Sequence, residues 1–242
     1  MVNSRKWGVA RAIAAVFPLT CLGVVSLPAQ QANPASVIQL VDAAVKARVD
    51  HVAGYTVIEH YAVYRGGDET HPAAEMTVRT EYKAETGKSY TILSQSGSTF
   101  IQNHVLATLL DREKQINLLG NREHSWITSD NYEMQLKSGI VERIDERDCL
   151  AVAITPRHKA PNLIEGTLLV DAKDGSIVRL EGTATQSPSI FTGAAQVMRH
   201  YANVDGYSMA TNARAVSESF LLGRTIITID YRDYQIQLRP SR

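Results

Sequence analysis

Only two cysteines occur in the 242 residues, Cys21 and Cys149, and the first lies in a stretch that reads as an export leader. The mature chain keeps one thiol, which excludes an internal disulfide and a cysteine-built metal site. Cys149 opens the apolar run Cys149–Ile154, the setting of a buried, inert thiol rather than a nucleophile. An excess of one charge is missing too. Of 25 basic and 25 acidic residues, the leader holds Arg5, Lys6 and Arg11 and no acid, leaving 22 against 25, a formal charge of −3. Nucleic acid rewards a strongly basic surface, so it is excluded as a partner, as is tight electrostatic attachment to an anionic membrane.

Catalytic signatures are absent as well. The histidines (His51, His60, His71, His104, His124, His158 and His200) never pair at the spacing of a zinc-binding helix. There is no Gly-x-Ser-x-Gly turn, no P-loop and no Gly-x-Gly-x-x-Gly. Ser96-Gly97-Ser98 reads as a loop. The densest acid cluster, Glu142, Asp145, Glu146 and Asp148, is interleaved with Arg143 and Arg147, which suits a solvated turn better than paired catalytic carboxylates. No catalytic residue, metal ligand or cofactor site is read from the chain, and a non-enzymatic protein is expected.

What is present begins with the leader. A basic head over Met1–Arg11 is followed by an apolar run from Ala12 to about Leu27, broken by Pro18, and by small and polar residues to Ala32. This is the pattern of a secretory signal. The run is too short and interrupted for a membrane span, which needs about 20 apolar residues. Residues 1–32 are therefore expected to be a signal peptide, cleaved after Ala29 or Ala32, with 33–242 as one domain of sufficient size for its own core. Lipid attachment at Cys21 would want an aliphatic residue three positions earlier and a small one directly before it; Pro18 and Thr20 fit badly.

Asn33 as N-cap and Pro34 at the first helical position start an amphipathic helix over about 34–52, with a stripe of Ile38, Val41, Val45, Val49 and Val52 and a stop at Gly54. Tyr55–Arg65 is rich in β-branched and aromatic residues. Met76–Ala84 alternates, with Met76, Val78, Thr80 and Tyr82 on one side, as a half-buried strand does. Ser89–Ser94 starts a further strand. A second helix is expected from Thr99 to about Gln115, where Ile101, Val105, Leu109 and Arg112 share a face beside Leu106 and Leu110. Tyr132–Glu142 fits either period. Strands follow at Cys149–Pro156, Glu165–Asp171, Ser176–Gly182, Gln196–Val204, Ala213–Leu222 and Arg224–Leu238, with tight turns at Asp174-Gly175 and Asp205-Gly206. Short turns between successive strands are the mark of an antiparallel meander. The fold class is α+β: a curved antiparallel sheet with helices covering its concave face. Tyr55, Tyr61, Tyr64, Tyr82, Tyr90, Tyr201, Tyr231 and Tyr234 lie in or beside strands; such rings suit ordinary cross-strand packing or the wall of a partly wet cavity.

The order of leader, helix, paired strands, aliphatic helix and meander resembles the LolA-like outer-membrane lipoprotein-sorting proteins and the LppX-like lipid carriers. Leu163–Asp171 (LIEGTLLVD), Asp174–Gly182 (DGSIVRLEG) and Thr225–Tyr234 (TIITIDYRDY) carry the likeness. The Trp-containing strands typical of sorting carriers are missing, since Trp126 alone remains in the mature chain. The resemblance implies an unclosed β-barrel with helices at about 34–52 and 99–115 as its lid. It implies a periplasmic carrier of lipid or lipoprotein acyl chains, with an envelope protein as a further partner. It also implies an apolar lining, expected from Tyr55, Val57, Tyr61, Met76, Val78, Tyr82, Val105, Leu106, Leu109, Ile227, Ile229 and Tyr231, and a lid-locking arginine, for which Arg79 and Arg179 are candidates. The alternative is a solid, non-catalytic envelope scaffold or protein-binding module.

Overall fold

A computed structural model describes residues 33–160, 162–186, 195–219 and 223–240. The expected signal peptide with its cleavage site and Cys21, and the end of the expected strand at 220–222, lie outside the described residues.

Helix α1 (Pro34–His51) starts as its sequence dictates: the Asn33 side chain accepts from the Ala35 amide at 3.1 Å, and proline fills the first position. Its buried residues are Val37, Val41 and Val45; Val41 and Val45 lie on the expected stripe, while Val37 takes the buried place expected of Ile38, which is half-buried beside it. Gly54 does not stop the helix. Val52 is already extended, and Gly54 lies inside β1 (Val52–Arg65). A Cβ at Gly54 would come within 2.6 Å of the Tyr82 carbonyl oxygen, so its glycine serves close strand approach.

Nine more strands follow: β2 (Ala74–Lys83), β3 (Gly87–Gly97), β4 (Tyr132–Ile144), β5 (Arg147–Pro156), β6 (Ile164–Asp171), β7 (Ile177–Ala184), β8 (Gln196–Val204), β9 (Tyr207–Ser219) and β10 (Gly223–Leu238). Between β3 and β4 run α2 (Thr99–Ile101), a π turn (Gln102–Leu106), α3 (Ala107–Ile116) and a 3₁₀ turn (Arg122–Ser125). All ten strands form one antiparallel sheet in the order β3-β2-β1-β10-β9-β8-β7-β6-β5-β4. The meander is longer than the sequence suggested, running from β4 to β10. It joins the first hairpins through β1–β10, the pairing of the two strands farthest apart in the chain. The sheet is not closed, and β3 and β4 are its edges. The segment carrying α2 and α3 therefore leads from one edge to the other.

The sheet must bend. α1 touches β1, β9 and β4, which stand third, fifth and tenth in the order. Its 18 residues make a helix about 27 Å long, whereas β1 and β4 would be about 34 Å apart in a flat sheet. One helix reaches all three only if the sheet curls around it.

Two cores lie on the same concave face. At one end α1 packs through Val37, Val41 and Val45 on Tyr132, Val152, Leu168 and Leu180 of β4–β7. Trp126 joins this core from just after the 3₁₀ turn. At the other end Ile101, Leu106 and Leu110 pack on Tyr61, Met76 and Val78 of β1–β2. The π turn explains how. Ile101 and Leu106 are five residues apart, too far around an α-helix to share a face, and the wider turn brings them back into line. A small cluster of Cys149, Ala151, Leu169 and Val178 lies on the opposite face. Cys149 is free and fully buried, and burial raises its pKa.

The β6–β7 turn fixes α1 in place. Gly175 has φ +73° and lies so close under the helix that a Cβ would approach the Leu40 carbonyl carbon to 2.4 Å. Only glycine satisfies both demands. Asp42 of α1 accepts from the Ser129 amide at 2.8 Å and hydroxyl at 2.6 Å, tying the helix to the crossing segment.

Candidate functional site

One cross-strand row traverses the concave face of all ten strands. By register it reads Gln95, Met76, Tyr61, Ile229, Ala213, Arg199, Leu180, Leu168, Val152, Leu136. Neighbours in such a row touch side by side. Met76, Tyr61, Leu180, Leu168 and Val152 are buried under the two helical ends, whereas Ile229 and Arg199, in the middle, are half-exposed. Val197 and Tyr201 of β8 and Ile227 of β10 are half-exposed as well. Val197 and Tyr201 border the α1 core; Ile227 and Ile229 border the other. A half-open strip over β8–β10 thus separates two packed ends.

The twelve residues expected to line an apolar site are brought together around β1, β2, β10 and the split helix. Tyr61, Met76, Val78, Val105, Leu106, Leu109, Ile227 and Ile229 belong to one packed cluster. Val57 is buried opposite Thr80. Tyr55 stacks on Tyr82 with ring centres 5.0 Å apart, and Tyr231 stands opposite Glu59. Arg79 and Arg179, the candidate lid-locking arginines, do not face this hollow. Each alternates with an inward residue, Val78 and Leu180 respectively. Arg79 is exposed, and Arg179 pairs with Glu142 at 3.1 Å and with Glu181 at 2.5 Å on the outer face.

A polar set inside the hollow was not read from the sequence. Lys88 of β3 meets Glu113 of α3 at 2.9 Å, with 12% and 33% of their side chains exposed. Burial opposes the charge on Lys88, but Glu113 and neighbouring groups outweigh it and hold its pKa well above the ordinary value. Lys88 in turn lowers that of Glu113 against the effect of burial, with help from Arg199. Glu59, 1% exposed, accepts from the Tyr61 hydroxyl, whose pKa is driven up by burial and by that carboxylate. Burial likewise raises Tyr55, Tyr90, Tyr231 and Tyr234, and pushes Tyr132 up to about 12. Tyr201 holds the Arg199 guanidinium above its ordinary value against the effect of burial, with Tyr231 and Glu113 adding. Among the described residues four buried polar atoms on this face have no hydrogen-bond partner: Thr80 Oγ1, Tyr90 Oη, Arg199 Nε and Thr225 Oγ1. The alternation of β8 hid Arg199, because Met198, Ala202 and Val204 make the opposite parity look equally apolar.

Two hollows lie away from this strip. One of about 230 Å³ lies on the outer face among Lys137, Glu142, Arg179 and Glu181. The other, about 450 Å³, is lined by Thr155, His158, Lys159, Glu165 and Thr183. Among the described residues no three His, Cys, Asp or Glu side chains gather as metal ligands, and no helix is long and apolar enough to cross a membrane.

A solved structure from Vibrio parahaemolyticus, a putative outer membrane lipoprotein-sorting protein domain, superposes on 85% of this chain and 94% of its own, with a TM-score of 0.50 and 12% identity. The fold is LolA-like. A LolA superfamily protein from Nitrosomonas europaea aligns over 86% of this chain and 96% of its own at 12% identity and TM-score 0.45. A DUF1329 family protein from Desulfovibrio piger does so over 87% and 96% at 15% identity and TM-score 0.44. No family model matches the sequence, and no curated protein does. At these identities the likeness is one of fold, the unclosed, helix-covered sheet that the order of elements implied.

Proposed function

We propose that this chain is a non-enzymatic periplasmic carrier of the lipoprotein-sorting type, sheltering the acyl chain of a lipid or lipoprotein over β8–β10. The observation that carries the reading is the half-exposed apolar strip of Val197, Ile227 and Ile229 on the concave face of a LolA-like sheet. The export leader in the sequence supports the compartment, and a cargo that costs about 0.8 kcal/mol per CH₂ exposed to water supplies the drive. The ends of the hollow are filled by their own side chains, so cargo lies in the middle and borders the split helix through Val105 and Leu109. Protein purified from its own periplasm should carry co-purifying lipid in native mass spectrometry, and the delipidated form should take up a fluorescent fatty acid. Ile229→Asn, at a half-exposed position, should weaken that uptake about tenfold while leaving the fold intact. A ligand-free protein that takes up no fatty acid overturns the reading.

A second reading, a protein-binding module, draws on edge strand β3. Ile92 and Leu93 are 51% and 48% exposed there, with Phe100 at 58% just beyond. An open edge bearing apolar side chains invites pairing with another chain.

A further inference from the structure

Arg199 is the residue that an apolar hollow least explains. It occupies the middle of the cross-strand row, between the buried Ala213 and Leu180. Its Nε is buried and meets no acceptor among the described residues. Among the described residues it enters no ion pair, and every aspartate and glutamate of the chain is among them. The carboxylates of the hollow are engaged elsewhere: Glu113 by Lys88 at 2.9 Å, and Glu59 by the Tyr61 hydroxyl. A buried guanidinium donor without an acceptor is costly to maintain.

We propose that Arg199 receives the acidic head group of an amphiphile whose hydrocarbon lies along Val197, Ile227 and Ile229. The proposal rests on the carrier reading and narrows its cargo to lipids with a carboxylate or phosphate head. The planar fork of arginine matches either anion through paired N–H donors. Tyr201, on the same strand face, and Tyr231, beyond Ile229 on β10, place phenolic hydroxyls near enough to Arg199 to influence its charge. The mature surface carries a formal −3 and offers no general attraction to anions, so selectivity for an acid arises within the hollow.

The test uses the mature protein and displacement of a neutral fluorescent probe, N-phenyl-1-naphthylamine. Palmitic acid is compared with hexadecanol, and palmitoyl lysophosphatidic acid with monopalmitoylglycerol, at neutral pH. At least one acid should bind about tenfold or more tightly than its neutral counterpart, and the stronger of the two preferences separates carboxylate from phosphate. Arg199→Met should erase the preference while keeping hexadecanol and probe binding; Arg199→Lys should keep part of it. If Arg199→Met fails to fold, the wild-type preference and Arg199→Lys decide. Equal binding of acids and neutral partners, or an unchanged preference in either variant, overturns the head-group assignment and leaves the carrier reading standing. Binding of no amphiphile overturns both.

Discussion

Replacing Lys88 by methionine tests how the split helix is held to the sheet. The ammonium lies 2.9 Å from Glu113, with 12% and 33% of the two side chains exposed. Removing one partner of a fully buried pair costs roughly 3–5 kcal/mol, because the other charge is stranded. Glu113 keeps a third of its surface in water and can recruit solvent, so Lys88→Met should cost about 1–3 kcal/mol. The double variant Lys88→Met/Glu113→Leu removes the stranded charge and should recover most of the loss, giving a coupling energy of about 1–2 kcal/mol in a double-mutant cycle. Guanidinium denaturation of the four proteins, followed by circular dichroism, measures it. The pH dependence supplies an independent check. Lys88 depresses the Glu113 pKa below 4.5, so on acidification the unfolded chain binds this proton before the folded one. The stabilisation is complete above about pH 5 and fades as pH falls through the depressed folded value. Lys88→Met should flatten that acid limb. Additive single effects in the cycle, or an unchanged acid limb, would refute the claim that this pair fastens α3 to β3.

Leu106 is wholly buried at the π turn, and Leu106→Ala should cost about 2–5 kcal/mol in the same assay, whereas half-buried Val105→Ala should cost about 1 kcal/mol or less. Gly175→Ala forces a side chain at φ +73° against the Leu40 backbone; it should destabilise by at least about 1–3 kcal/mol and show faster amide exchange along α1. The Cys149 thiol, buried and raised in pKa, should resist a disulfide reagent at pH 8 in the native protein and react at once in denaturant. Rapid native labelling would contradict its place in the outer-face cluster.

The elements with regular periods were legible. The alternation of Met76, Val78 and Thr80 gave the inner face of β2. The Asp205-Gly206 pair, both at positive φ (51° and 90°), formed the hairpin turn its composition demands. Asn33 and Pro34 marked the start of α1. Three features escaped, each for a physical reason. The pairing of β1 with β10 joins the first and last strands of the sheet, and no local pattern encodes it. The five-residue step from Ile101 to Leu106 fits no α-helical face, so the π turn was invisible to a search for period 3.6. Arg199 sits at an inward position of β8, whose two faces are about equally apolar, and Lys88 is a charge on the Tyr90–Ile92 face of β3, so their depth depends on which face the helices cover.

α1 packs on the β4–β7 end and also reaches β9 and β1, the helix split by the π turn packs on β1–β2, and Val197, Ile227 and Ile229 stay half-exposed between the two cores. Left to ordinary surface demands, β8–β10 would be polar on both faces. Their outer face is mixed: Asn212 bonds Asp230 at 2.8 Å across β9–β10 and Arg214 stands opposite Thr228, whereas Ile226, 1% exposed, stands opposite Val216. One residue along, on the inner face, the same strands carry Ile227, Ala213 and Ile229. The proposed carrier role would seat an apolar occupant on this inner face, on a floor whose β1–β10 and β9–β10 ladders need not break to admit it.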